Sequence, residues 1–113
     1  MVVTIDDSKA GVTRVALEGR LDVAGTATAS DAFARRVIAR RESAIVDLSR
    51  VDFVASLGMG LLVSTAKGLV RHGKRLVLLR PQTLVASALA AAGLDEVLQV
   101  APDEDAALRL IRG

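Results

Sequence analysis

The segment Arg75-Leu76-Val77-Leu78-Leu79 is apolar at four consecutive positions, so a strand formed there has no polar face to turn toward water. Such a strand must be covered on both faces, which is the situation of an inner strand in a parallel sheet with crossover helices. Pro81 ends it, because proline brings no ladder donor. This one segment already demands strands beside it and helices packed over the sheet.

The segments before it supply them. Val2-Val3-Thr4-Ile5 is β-branched, and Asp6 to Gly11 is turn chemistry. Residues 12–18 then alternate, with Val15 and Leu17 on one face, and the two runs read as a hairpin closed by Gly19-Arg20-Leu21-Asp22. From about 24 to 40 the period becomes helical: Phe33, Val37 and Ile38 fall on one stripe and Arg35, Arg36 and Arg40 away from it. Residues 43–48 read as a short apolar strand, followed by a few irregular residues and a turn at Ser56 into a helix that runs to His72 and stops at Gly73.

After residues 75–79, Thr83 is placed to cap a helix over 84–92 that Gly93 ends. A last short strand is expected over 97–100. Pro102 or Asp103 then opens a helix to Arg112, with three acids in its first turn. The expected order is β-β-α-β-α-β-α-β-α. That is an α/β fold with a mixed sheet, an N-terminal hairpin followed by parallel strands, and helices packed on it. At 113 residues there is room for one core, so residues 1–113 are read as a single domain.

Composition removes several function classes. The chain has two Phe, no Tyr and no Trp, which leaves no aromatic platform for stacking bases. Net charge is +2 from 15 basic and 13 acidic residues, with no run of five or six like charges, so the basic groups read as solvated helix faces and no nucleic-acid partner is expected. There is no cysteine for disulfides, thiol chemistry or thiolate metal sites. The uncharged runs at 53–66 and 81–94 are too short for a membrane span, and the opening residues do not follow the pattern of a signal peptide. A cytoplasmic location is expected.

The motifs of catalysis fail on inspection. Gly58-x-Gly60 begins a dinucleotide fingerprint, but Val63 stands where its third glycine belongs, and Leu78 and Leu79 where its acid belongs. No phosphate-binding G-x-x-x-x-G-K-[ST] loop occurs. Ser56 follows a strand and precedes a helix like a hydrolase nucleophile, yet Val54 replaces the glycine that such an elbow needs. His72, the one histidine, lies a helix length away from Ser56 and reads as a helix C-terminal residue. One His and scattered acids make no metal site. The expectation is a protein without enzymatic activity, metal or cofactor.

What remains is the helix that starts at Ser56. On an ideal helix with Ser56 at 0°, Leu57, Gly58, Leu61, Leu62, Thr65 and Leu69 fall between roughly 100° and 240°, the expected core face. Ser56, Gly60, Val63, Ser64, Lys67 and Arg71 fall opposite, with Met59, Ala66 and Val70 on a shoulder. An outward face of small residues with Met59 and Val63 suits a protein partner, unless another part of the domain covers those two side chains. Ser56 reads structurally as the N-cap; functionally, a helix N-terminus tolerates a phosphate there.

These segments together resemble the STAS domain family of bacterial anti-sigma factor antagonists and related modules. The resemblance is carried by Gly19-Arg20-Leu21-Asp22, Ile45-Val46-Asp47-Leu48-Ser49, Val51-Asp52-Phe53, Ser56-x-Gly58-x-Gly60-Leu61-Leu62, Lys74-Arg75-Leu76-Val77-Leu78 and Leu89-x-x-x-Gly93-Leu94. It implies a sheet with helices mainly on one face, and a protein partner that is an anti-sigma factor with a histidine-kinase-like fold. Binding would free a sigma factor, and phosphorylation at the start of the helix would reverse it. Asp22 matches the acidic residue that flanks the partner surface in such domains, so with the helix projection the expected partner surface is Asp22, Ser56, Leu57, Gly58, Met59, Gly60, Val63 and Lys67.

The family's turn reads Asp-Ser-[Ser/Thr]-Gly, whereas this chain has Ala55-Ser56-Leu57-Gly58. Leu57 stands at the acceptor position, and Ser56, matching the preceding serine, is the remaining candidate phosphoacceptor. The expectation is an antagonist that is not switched at the usual position. The alternative is a STAS scaffold subunit of a sensory or lipid-transport complex.

Overall fold

Five strands form one sheet in sequence order: β1 Val2–Asp6, β2 Val12–Leu21, β3 Ser43–Val54, β4 Leu76–Leu79 and β5 Gln99–Ala101. β1 pairs antiparallel with β2, and every later pairing is parallel. The connecting helices are α1 Val23–Arg36, α2 Ser56–Val70 and α3 Thr83–Ala91, and α4 Glu104–Arg112 follows β5. The computed structural model describes all residues 1–113.

The apolar segment at β4 sits where its composition demands. Leu76 and Leu78 join a large core with Val15, Leu17, Phe33, Val46, Leu48, Leu62, Leu69, Val85 and Leu89, between the sheet and α1 to α3. Val77 and Leu79 face the other way, into a smaller cluster with Val12, Ile45, Ala101 and Ala107 under α4. Parallel crossovers of one hand put the first three helices on one face. Only α4 covers the other, and the expectation of a mixed sheet with helices mainly on one face holds.

Several boundaries differ from the sequence reading. β2 and β3 both run further than expected, and their pairing continues through Gly19↔Val51 and Arg20↔Phe53 to Leu21↔Val54, with register shifts between Ala16 and Glu18 and between Gly19 and Arg20. The polar residues Ser49, Arg50 and Asp52 looked like a loop. They lie in a strand because α4 covers only part of its face of the sheet, so Val51 and Val54 point into the core while their neighbours meet solvent. α1 ends at Arg36, and Ile38–Arg40 tighten into a 3-10 turn instead of continuing the helix. β5 begins two residues later than expected because Leu94–Glu96 form a second 3-10 turn. Gln82, not Thr83, stands at the N-cap of α3 without a side-chain capping bond; its Nε2 donates instead to the Ser49 carbonyl at 2.9 Å.

Gly58 explains how closely α2 approaches the sheet. A Cβ there would lie 2.9 Å from the Leu21 Cβ, 3.1 Å from the Leu21 carbonyl oxygen and 3.3 Å from the Thr26 Oγ1. Two of these neighbours, the Leu21 backbone and Cβ, cannot swing away. Gly58→Ala is therefore expected to lower stability by about 1–3 kcal/mol through overpacking, read as a lower urea midpoint at unchanged slope. An unchanged midpoint would show that the approach has slack.

Candidate functional site

β2 and β3 end side by side, and the amide of Ala55 donates to the Leu21 carbonyl across 2.9 Å. That bond holds the starts of α1 and α2 together at the carboxyl edge of the sheet. Asp22 is the N-cap of α1, its Oδ1 accepting from the Gly25 amide at 2.9 Å. Its other oxygen lies 3.9 Å from the Arg20 Nε, and the Arg20 guanidinium lies over the exposed Phe53 ring at 4.3 Å from its centroid. Asp22 thus serves the fold first, and its outward oxygen meets an Arg-aromatic pair of the kind enriched in binding surfaces.

The N-cap of α2 is Ala55, in extended conformation, so the reading of Ser56 as N-cap is corrected. β3 pairs as far as Val54 and Ala55 alone makes the turn, so the helix starts one residue earlier than expected and Ser56 lies in its first turn. Its side chain takes no part in capping, and the residue is exposed. Leu57 is likewise corrected: expected on the core face, it is 56% exposed. The buried residues of the helix are Gly58, Leu62, Thr65 and Leu69, which centre the inner face near 210° on the ideal projection and leave Leu57 on its outer margin.

Val63, expected on the outward side, requires the opposite correction. Met59 lies on the shoulder where the projection put it, but is less open than expected of a contact residue. Both are half-buried and pack against the main core, so they are shoulder residues and not part of the solvent face. Their outer sides, with Ser56, Gly60, Lys67, Ala92 and Leu94, line a groove of about 400 Å³ between α2 and the end of α3. A second groove of about 450 Å³ lies between α1 and α2, lined by Val23, Thr26, Ala27, Ser30, Leu57 and Leu61 among others. Gly60 and Ser64 form the low saddle shared by the two grooves. A Cβ at Gly60 would meet nothing within 4 Å, so the fold does not require glycine there.

Of the residues singled out in sequence, Ser56, Leu57, Gly60 and Lys67 are thus exposed on one side of α2, Met59 and Val63 border it, and Gly58 is buried beneath it. Asp22 adjoins through the Leu21–Ala55 bond. Sequence reasoning missed Val23, 72% exposed at the start of α1, and Phe53. The pattern of an apolar residue directly after a capping Asp was a readable signal for Val23. Phe53 stands out in the sequence only as part of the Val51-Asp52-Phe53 resemblance, within a segment read as irregular, and nothing in its local pattern points to an exposed position beside Arg20. Nowhere do three or more His, Cys, Asp or Glu residues gather as metal ligands.

Residues 5–100 match the family model described as Mlab, STAS domain. The chain belongs to the STAS family. No curated protein sequence matches it. Among solved structures, this STAS domain is similar to an anti-sigma factor antagonist from Mycobacterium paratuberculosis, at 24% identity and a TM-score of 0.87 over 99% of this chain and 94% of that one. It is also similar to the phosphorylated form of the Bacillus cell fate determinant SpoIIAA, at 21% identity and a TM-score of 0.72 over 96% and 99%. A murine solute carrier 26 family anion transporter in its inward-facing state matches at 22% identity and a TM-score of 0.73, over 90% of this chain and 18% of that one. At such identities these likenesses establish the shared fold.

The capping role of Asp22 separates two effects that a single alanine substitution would confound. In the STAS domain, Asp22→Ala is expected to lose about 1 kcal/mol of stability with the cap. Asp22→Asn keeps a capping oxygen and should stay within a few tenths of wild type in urea titrations. Equal losses in both variants would assign the contribution of Asp22 to its charge.

Proposed function

We propose that this STAS domain is an anti-sigma factor antagonist that binds a kinase-type anti-sigma factor through the outer side of α2 and the start of α1, and so releases a sigma factor. The observation that carries this reading is the exposed side chain of Leu57, standing between an adaptable groove edge and a glycine saddle that the fold itself does not need. An aliphatic side chain open to water at the helix start suits burial in an interface. Small residues at Ser56, Gly60 and Ser64 permit close approach, and Asp22, Arg20, Phe53 and Lys67 supply a polar and cationic rim. Anti-sigma factor antagonists are among the proteins whose fold this chain shares. The domain acts by occupying its partner and performs no reaction.

The usual switch is absent from this reading. Leu57 carries no hydroxyl where the family accepts phosphate, and Ala55 replaces the acid before it. Ser56 is exposed at the uncapped start of α2, where a phosphate would be favoured by the helix dipole yet would be desolvated by a docking partner. The domain accordingly binds without phosphorylation at the usual position. Incubation with the cognate kinase-type partner and ATP should leave the mass of the peptide containing Ser56 unchanged; phosphate on Ser56 would sink this part of the proposal.

The second reading is a scaffold subunit of a sensory or lipid-transport assembly. The specific observation in its favour is the same Leu57, since a permanent subunit needs no acceptor hydroxyl; the occurrence of the fold within a transporter chain agrees with it. Co-purification from the native organism distinguishes the two: a kinase-type anti-sigma factor supports antagonism, and a transporter or sensor assembly supports the scaffold.

Under either reading, Leu57→Asp should weaken partner binding by at least about 2 kcal/mol, measured by calorimetry, with an unchanged thermal midpoint because the side chain is exposed. Charge at Met59 or Val63 is the poorer test, since both pack on the core and would lower the midpoint too. Gly60→Ala should raise stability by about 0.5–1 kcal/mol, the helix-propensity gain, while weakening binding. Tighter binding by Gly60→Ala would remove the saddle from the interface.

A further inference from the structure

We propose that the edge of the domain opposite the α2 N-terminus is a docking surface for an anionic lipid bilayer. Because β2 to β5 are parallel, the C-termini of α1 to α3 and the starts of β3 to β5 all lie at one edge. The Arg75 guanidinium donates to the Leu110 carbonyl at 2.7 Å, which ties the C-terminal turn of α4 to the same edge. The Arg75 amide donates to the Ser43 hydroxyl and the Ala44 amide to the Arg75 carbonyl, so the residues beside them are neighbours in space. Six cations are gathered there: Arg41, Arg71, Lys74, Arg75, Arg109 and Arg112. All are exposed, and none makes a salt bridge.

Acidic residues do not balance this group. Glu42 is held by Arg40 at 3.1 Å, and Asp7 by Arg36 and Arg40, so they are already neutralised. Asp6, at the end of β1 near Lys9, and Asp95 and Glu96, in the turn before β5, are three carboxylates against these six cations and Lys9. The domain measures 31 × 25 × 23 Å, so charges along one edge fall within a few screening lengths of each other and act on a charged plane together. A small net charge for the whole chain therefore conceals a strongly positive end.

Apolar groups accompany the charges. Val70 and Val97 are 65% and 61% exposed, and with Ala66, Leu76 and Arg75 they line a hollow of about 260 Å³ at this edge. Cations with aliphatic side chains between them match the headgroup layer of an anionic bilayer, which offers both phosphate charge and acyl chain. Nucleic acid fits less well, since neither Phe lies here: Phe33 is in the core and Phe53 is at the other end. α2 spans roughly 22 Å from Ser56 to Val70 at 1.5 Å per residue. A domain resting on lipid through this edge keeps the face at Leu57 open to a protein partner.

The test is co-sedimentation of the full chain with vesicles of mixed phosphatidylglycerol and phosphatidylcholine, compared with pure phosphatidylcholine, at low and at physiological salt. Binding to the mixed vesicles only, weakened by salt, is the expected result. The exposed pair Arg71→Gln/Lys74→Gln should weaken partitioning roughly 25-fold, about five-fold for each charge, with unaltered circular dichroism. The pair Arg20→Gln/Arg50→Gln at the opposite end should leave it unchanged. Absence of binding to the mixed vesicles at low salt would overturn the proposal, as would equal losses in the two pairs. Tighter binding to a short DNA duplex than to the vesicles, by fluorescence anisotropy, would also overturn it and assign the edge to nucleic acid.

Discussion

The bond from the Ala55 amide to the Leu21 carbonyl is the contact on which the arrangement of the functional face depends. It is the last rung of the parallel pairing between β2 and β3, which reaches Leu21↔Val54. Through it, two chain segments more than thirty residues apart in sequence begin their helices next to each other. Asp22 then caps α1, Ala55 starts α2, and Gly58 lets α2 lie close enough that Leu21 and Thr26 are its immediate neighbours. A side chain at Gly58 would push the helix outward and separate the two grooves from the strand ends.

The domain separates its tasks by position along the strands. The carboxyl edge carries helix starts, which in α/β sheets are where binding groups are best placed, because several elements converge there with their amide donors outward. The opposite edge carries helix ends, where basic residues are favoured by the helix dipole. That preference is met at the ends of α1, α2 and α4 but not of α3, and with the basic residues of the connecting segments it contributes to the cationic end. The mixed charge toward the carboxyl edge, where Arg20 meets Asp22, Arg50 meets Glu18 and Arg14 meets Glu104, is the complement of that arrangement.

A good part of the fold was legible in the sequence because it rests on local signals. The consecutive apolar residues of β4, the alternation in β2, the stripe of Phe33 and Val37, the capping at Asp103 and the stop at Gly93 each announce their element without reference to the rest of the chain. Boundaries that depended on pairing were missed. Ser49, Arg50 and Asp52 are unsuited to a buried strand, and only the absence of a helix over that stretch of the sheet makes them acceptable in one. The candidate site was half legible: the helix starting near Ser56 and the exposed positions of Gly60 and Lys67 follow from periodicity.

The sequence by itself determined the class of fold and the family, since these are set by which residues occupy which positions along the chain. Only the tertiary structure decided which side chains are available to a partner. Leu57 lies on the margin of an ideal projection, and whether it is covered depends on how α1 packs against α2, fixed by Gly58 and the Leu21–Ala55 bond. Met59 and Val63 are half-covered for the same kind of reason, by core residues distant in sequence. Burial is a property of what lies opposite a residue, and what lies opposite is brought there by long-range pairing that a local pattern does not encode.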